Sequence, residues 1–266
     1  MRRLLAILAF AVSCPTLAQP VEEIVVVKVG SHSIAGLVSR GPRAKPKYGI
    51  ALFPGYPGIL KLHAEAGAPF NQQGNFVIRA RRFWLDAETL TVSVDAPSDQ
   101  WTSFEQRFRQ SARYGADVAA LLQEIGKRFG IEEWTFVGTS EGSVSAFHAA
   151  RMNPALARRA ILTSSLFGST KLGPGLSDAR WSAYGGKLLW VHHADDPCPA
   201  TPYREAQSFA KKSGAPLLTV RGGGPERGPP CEPFSFHGYV GVERATVEAM
   251  RTWVKTGLAE DVGVHR

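Results

Sequence analysis

The amino-acid sequence predicts an α/β fold: a mostly parallel sheet with helices on both faces and no large cap domain. Three observations carry this expectation. After an opening hairpin, short β-branched and aromatic runs alternate with amphipathic helical stretches to the end of the chain. The pentapeptide Gly138-Thr139-Ser140-Glu141-Gly142 joins one such run to one such helix. The stretch between the strands at Ile161 and Leu188 is too short for a large helical lid, so an open site is expected.

Taken in order, residues 23–29 and 33–39 read as two strands joined at Gly30 in a hairpin. A proline- and lysine-rich link leads to a third strand, 48–53, which ends in Pro54-Gly55-Tyr56-Pro57-Gly58. Residues 75–88 place Phe76, Val77, Ala80, Phe83 and Trp84 among three arginines, the pattern of a helix with one buried face. A strand over 89–94 ends at Asp95. The clearest helix is 109–129, where Val118, Leu121, Leu122, Ile125 and Phe129 keep one stripe and Gly130 stops it. Trp134-Thr135-Phe136-Val137 is a buried strand, and the small residues after Gly142 form a closely packed helix. Further strands are expected at 159–164, 187–192 and 215–220, with helices over 202–213 and 240–255.

The 266 residues, 44% of them hydrophobic, suffice for one sizeable core, read as a single domain over 19–266. Residues 1–18 read differently. Arg2-Arg3 precedes a short apolar run from Leu4 to Val12, and Thr16-Leu17-Ala18 supplies small residues at a cut site. That is an export signal, so a periplasmic or secreted protein is expected. Cys14 offers lipid attachment as the alternative, although the leucine usual three residues before such a cysteine is missing. No stretch matches an uninterrupted membrane-spanning helix. The formal charge is +8, and near +6 once Arg2 and Arg3 are removed. The basic residues are scattered, no nucleic-acid motif accompanies them, and they read as solvated faces. A small-molecule, acyl or peptide substrate is the expected partner; oligomeric state has no signal here.

A strand, Gly-x-Ser-x-Gly and a helix make a nucleophile elbow, whose tight turn leaves little room for side chains two residues either side of Ser140. A serine hydroxyl needs a base to take its proton, and the base needs a carboxylate to hold its tautomer. Asp196, preferred over its neighbour Asp195, follows the strand at 187–192 and is the acid candidate; Asp95 is held as a structural or reserve acid. His237, on a loop with Gly238 before the last helix, is the base candidate. His192 and His193 are its rivals and read as buried, hydrogen-bonded strand histidines. The oxyanion would be held by the backbone N–H groups of Glu141 and Tyr56, since Pro54 and Pro57 have none. Without residues 1–18 two cysteines remain, Cys198 and Cys231, an even count that predicts a disulfide in an exported protein. It would tie the acid loop to the base loop. No metal or organic cofactor is implied, because His192, His193, Asp195 and Asp196 are adjacent and expected to point apart.

The ordered set Ser140, Asp196, His237 with the Gly-Thr-Ser-Glu-Gly elbow resembles the α/β-hydrolase superfamily. Pro54-Gly55-Tyr56-Pro57-Gly58 is similar to that family's His-Gly-x-Pro-Gly oxyanion loop, with Pro54 in place of the histidine. The resemblance covers roughly Ile24 to Leu258 and implies an eight-stranded, mainly parallel sheet and acyl transfer to water through an acyl-serine. Dienelactone-hydrolase-like members are similar in size and in lacking a large lid, but their thiol nucleophile is a serine here. The expected activity is hydrolysis of carboxylic esters. A peptidase or amidase on the same three residues, and a non-catalytic binding protein of the same fold, are the alternatives.

Overall fold

Eight strands form one sheet in the order β1-β2-β4-β3-β5-β6-β7-β8. The computed structural model describes residues 19–63, 69–131, 133–181 and 184–263; the expected export segment and Cys14 lie outside them. Strands β1 (Val21–Val29) and β2 (His32–Arg40) pair antiparallel, and β2 pairs antiparallel with β4 (Thr89–Val94). From β4 onward, β3 (Tyr48–Phe53), β5 (Trp134–Thr139), β6 (Ala157–Thr163), β7 (Lys187–His193) and β8 (Leu217–Val220) run parallel. All their carboxyl ends therefore open on one edge, where connecting loops can gather functional side chains.

Side chains alternate between two faces along each strand. Ala51, Phe53, Trp134, Phe136 and Trp190 pack on one face, with α3 (Ala112–Phe129), α4 (Gly142–Met152) and α5 (Tyr203–Ser213). Ile50, Leu52, Val137, Leu189 and Val191 pack on the other, with α1 (Phe76–Arg79) and α6 (Glu243–Thr256). The parity of β7 thus sends His192 to the α5 face and His193 to the α6 face. Among the described residues no helix is long and apolar enough to cross a membrane.

The expected strands at 48–53 and 89–94 are observed at those bounds. Two helices differ. In place of one helix over 75–88 there is the short α1 and a 3₁₀ turn, Arg81–Trp84. Phe76, Val77 and Ile78 are all buried, and three consecutive buried residues do not fit one face of a long amphipathic helix. Arg82 is exposed, but Arg79 and Arg81 are not on a solvated face. Arg79 binds Glu243 at 2.9 Å and the Gly238 carbonyl at 2.6 Å, and Arg81 binds Glu22 at 2.9 Å. The second difference is a break in the expected 109–129 helix. A short α2 (Gln106–Arg109) precedes α3, whose first turn is capped by Ser111 Oγ accepting from Tyr114 N. The break lets Arg109 turn inward, where it is 1% exposed.

Candidate active site

Ser140 sits between β5 and α4 with φ of 53°, the left-handed region that non-glycine residues rarely occupy. The turn is held by Ser140 N donating to Thr163 O at 3.1 Å and Ser143 N donating to Ser140 O at 3.0 Å. Its neighbours must be glycines on steric grounds. A Cβ at position 138 would lie 2.2 Å from Gly142 O, and one at 142 would lie 2.1 Å from Phe53 O. Strand and helix therefore approach more closely than any side chain allows, and the serine is pushed out at the sheet edge.

The acid and the imidazole meet across the loops after β7 and β8. His237 Nδ1 lies 3.1 Å from Asp196 Oδ2, and the Asp196 side chain is fully buried. With the carboxylate as acceptor, the ring proton sits on Nδ1 and leaves Nε2 as a proton acceptor. Thr201 Oγ1 donates to the same Oδ2 at 3.0 Å, and Cys198 N donates to Oδ1 at 2.9 Å. A further partner is His192, whose Nε2 is 3.1 Å from Oδ2 and 2.8 Å from the Thr201 carbonyl. This corrects the expectation that His192 and Asp196 point apart. The chain turns back after β7, with Asp196 N donating to His193 O at 3.2 Å, and the carboxylate folds over the strand end. Burial alone would raise the Asp196 carboxyl, but the hydrogen bonds from His192 and His237 outweigh it and hold the group well below the usual carboxylate range.

Asp195 is exposed, and its backbone N–H donates to His193 Nδ1 at 3.1 Å. Burial lowers the His193 imidazole from its ordinary value; its Nε2 bonds the Gly222 carbonyl at 2.8 Å and its ring stacks on Phe236. Asp95 is a structural acid. Its carboxylate accepts from the N–H groups of Leu60, Leu62 and Ala96 at 2.7–2.8 Å, tying down the segment after the β3 loop. Burial pushes it up to about 6, against the pull of those amides.

His237 is 5% exposed, and its backbone is pinned to the end of β6. Ser164 Oγ donates to the His237 carbonyl at 2.8 Å, and Tyr239 Oη accepts from Ser164 N while donating to the Val191 carbonyl. Ser140 and His237 line one cavity of about 530 Å³, together with Tyr56, Gln72, Asn75 and Phe76. No hydrogen bond joins Ser140 to His237 among the described residues; such bonds commonly tighten only when substrate is present.

The loop after β3 is held by its carbonyls. Gln72 Nε2 donates to Gly55 O at 3.2 Å and Tyr56 O at 2.8 Å, and Arg109 Nη2 donates to Pro57 O at 2.7 Å. The N–H groups of Tyr56 and Glu141 donate to no described residue. Arg109 also donates to the Phe104 carbonyl and to Ser145 Oγ, and its guanidinium lies 3.9 Å over the Phe104 ring. Gln72 and Arg109 thus give this loop the support that Pro54 cannot. Arg109, Gln72, Thr201 and the His192 contact escape a reading of the sequence, because each acts through loop carbonyls or side chains far away along the chain.

The cysteines form a disulfide, Cys198–Cys231, which joins the segment beside Asp196 to the segment before His237. It closes 33 residues, which the loop-closure relation values at about 3.7 kcal/mol. Reduction under native conditions is expected to lower the melting temperature by roughly 10 °C and to lower activity as well. Scanning calorimetry with and without reductant checks this; an unchanged melting temperature after complete thiol titration would count against it. No group of three metal-ligating side chains is found among the described residues.

Fold and site geometry together define an α/β-hydrolase fold, with no large cap among the described residues and with a serine elbow and an Asp–His pair at the carboxyl edge of the sheet. No protein-family model matches the chain, and no curated protein sequence does. Solved structures do. Est1E from Butyrivibrio proteoclasticus aligns with a TM-score of 0.58 at 14% identity, over 88% of this chain and 100% of that one. A dienelactone hydrolase from Anabaena variabilis aligns with a TM-score of 0.57 at 14% identity, over 89% and 98%. A cold-adapted esterase from an Arctic intertidal metagenomic library aligns with a TM-score of 0.57 at 13% identity, over 90% and 95%. At these identities the similarity is one of fold.

Proposed function

We propose that this chain is an exported serine hydrolase that cleaves carboxylic esters through an acyl-serine. The observation that carries the reading is the Asp196–His237 hydrogen bond, with the imidazole opening on the same cavity as the strained Ser140 turn. The similarity in fold to a dienelactone hydrolase and an esterase supports it. The Cys198–Cys231 bridge and the N-terminal leader pattern support a periplasmic or secreted location, with residues 19–266 acting as one domain.

In this reading Ser140 Oγ attacks the ester carbonyl carbon and its proton passes to His237 Nε2. The Nδ1–H bond to Asp196 steadies the imidazolium that forms. The carbonyl oxygen, now carrying the charge, accepts from the N–H groups of Tyr56 and Glu141. The Nε2 proton then goes to the departing alcohol. A water molecule, deprotonated by the same nitrogen, releases the acid from Ser140.

A fluorophosphonate probe tests the reading. The wild-type protein should label at Ser140. Ser140→Ala should lose the label and at least ~10⁴-fold of the ester turnover. An unlabelled wild type, or labelling that survives Ser140→Ala, would overturn it. Short-chain nitrophenyl esters set against aminoacyl nitroanilides separate an esterase from a peptidase.

A further inference from the structure

Beside the Ser140 cavity lies a second cleft of about 390 Å³, which shares Tyr56, Pro57 and Leu172 with it. Its lining includes Glu141, next in sequence to the nucleophile. The residue is 3% exposed, yet its Oε2 is buried with no hydrogen-bond partner among the described residues. Arg109 supplies charge but no hydrogen bond. Its Nη2 is 3.9 Å from Glu141 Oε2, while its N–H groups go to Phe104 O, Ser145 Oγ and Pro57 O. A buried carboxylate oxygen ordinarily accepts a hydrogen bond, and leaving it without one is costly. One carried on the wall of a cleft that opens beside the reacting serine is waiting for a donor from elsewhere.

The surrounding charge says what kind of donor. The Arg109 guanidinium already compensates the Glu141 carboxylate, and the exposed Lys171 ammonium and Glu105 carboxylate that line the same cleft offset each other. The cleft therefore carries no net charge to draw in a cation. A neutral hydroxyl leaves that balance untouched and offers the hydrogen bond that the buried oxygen lacks.

We propose that this cleft is a binding subsite for a neutral, hydroxyl-bearing part of the ester substrate, recognised by the Glu141 carboxylate. The inference rests on the ester-hydrolase reading and adds a substrate class to it.

Matched ester pairs test it, because a ratio of rates cancels any general loss of activity. Nitrophenyl 3-hydroxybutyrate against nitrophenyl butyrate probes the acyl side, and 2-hydroxyethyl butyrate against ethyl butyrate probes the alcohol side. The wild type should favour the hydroxylated member of at least one pair by about tenfold or more in kcat/KM, the worth of a hydrogen bond to a charged group. Glu141→Leu should bring that ratio close to one. Glu141→Gln, which keeps an acceptor oxygen but no charge, should lower it at least threefold, and it decides the matter if the leucine variant does not fold. The nitrophenyl 3-aminobutyrate ester should gain no such preference. No discrimination by the wild type in either pair, a ratio unmoved by both substitutions, or a stronger preference for the ammonium ester would each overturn the subsite. If the wild type labels with fluorophosphonate and hydrolyses plain butyrate, such a result removes the subsite alone. If it does neither, the ester-hydrolase reading falls and the subsite falls with it.

Discussion

Asp196→Asn is expected to lower kcat on a nitrophenyl ester by about 10³- to 10⁴-fold while leaving the fold intact, the scale of losing the carboxylate that orients a catalytic imidazole. The reason lies in what Asp196 Oδ2 receives. His237, His192 and Thr201 all converge on it within 3.1 Å, and the side chain is fully buried. An asparagine oxygen can still accept from them, so the loop keeps its place. Its neutral amide no longer stabilises an imidazolium, and its N–H₂ competes for the Nδ1 position and favours the wrong tautomer. Asp195→Asn should change kcat less than about threefold, since that side chain is exposed and the carboxylate bonded to His237 is that of Asp196. Steady-state kinetics on both variants checks this; the larger loss at Asp195 would overturn the assignment of the acid.

The same residue gives a signed pH prediction. Because the folded protein holds the Asp196 carboxyl below its ordinary value, the ionised form stabilises the fold above the normal carboxylate pKa. That contribution fades as pH falls through the depressed folded-state value. Asp196→Asn lacks it, so its stability should fall less steeply in acid than that of the wild type. Urea titrations of both proteins between neutral pH and pH ~3 measure the difference.

Arg109→Leu carries the largest expected loss of stability, about 3–5 kcal/mol, the usual result of removing one partner of a buried charge pair. The guanidinium is 1% exposed and satisfies the carbonyls of Pro57 and Phe104 and the hydroxyl of Ser145. Leucine fills much of the space but leaves those acceptors bare and strands the Glu141 carboxylate with no counter-charge. Arg109→Lys should rescue only in part, because one ammonium cannot reproduce the three-way fork. For a chain of this size the loss corresponds to a melting temperature lower by roughly 10 °C or more. Turnover should fall as well, since Pro57 adjoins the N–H of Tyr56. Thermal melts of the two variants decide it; a leucine variant that melts within about 2 °C of the wild type would show that the buried cation contributes little.

Much of this was legible in the sequence, and for local reasons. β3 and β4 announce themselves by runs of β-branched and apolar residues between turn signals, and their observed bounds match the pattern. The elbow is legible because glycines at 138 and 142 are demanded by contacts between residues close along the chain. The long helix expected over 75–88 is absent because, although its hydrophobic spacing suits a helix, the chain there is pressed onto β3 and β5 and anchored by Arg79 and Arg81 to distant acids. The expectation that His192 and Asp196 diverge followed strand parity beyond the end of the strand, where a turn overrides it.

Composition, periodicity and turn chemistry were enough to determine the parallel sheet, the position of the elbow and the set of candidate side chains, because each depends on residues within a few positions of one another. Which of those side chains touch was decided only by the tertiary structure. The second histidine on Asp196, the arginine beneath the Tyr56 loop and the buried, unbonded Oε2 of Glu141 all arise where segments far apart in sequence are packed together. Desolvation and hydrogen-bond geometry are properties of that packing, and no stretch of the chain encodes them by itself.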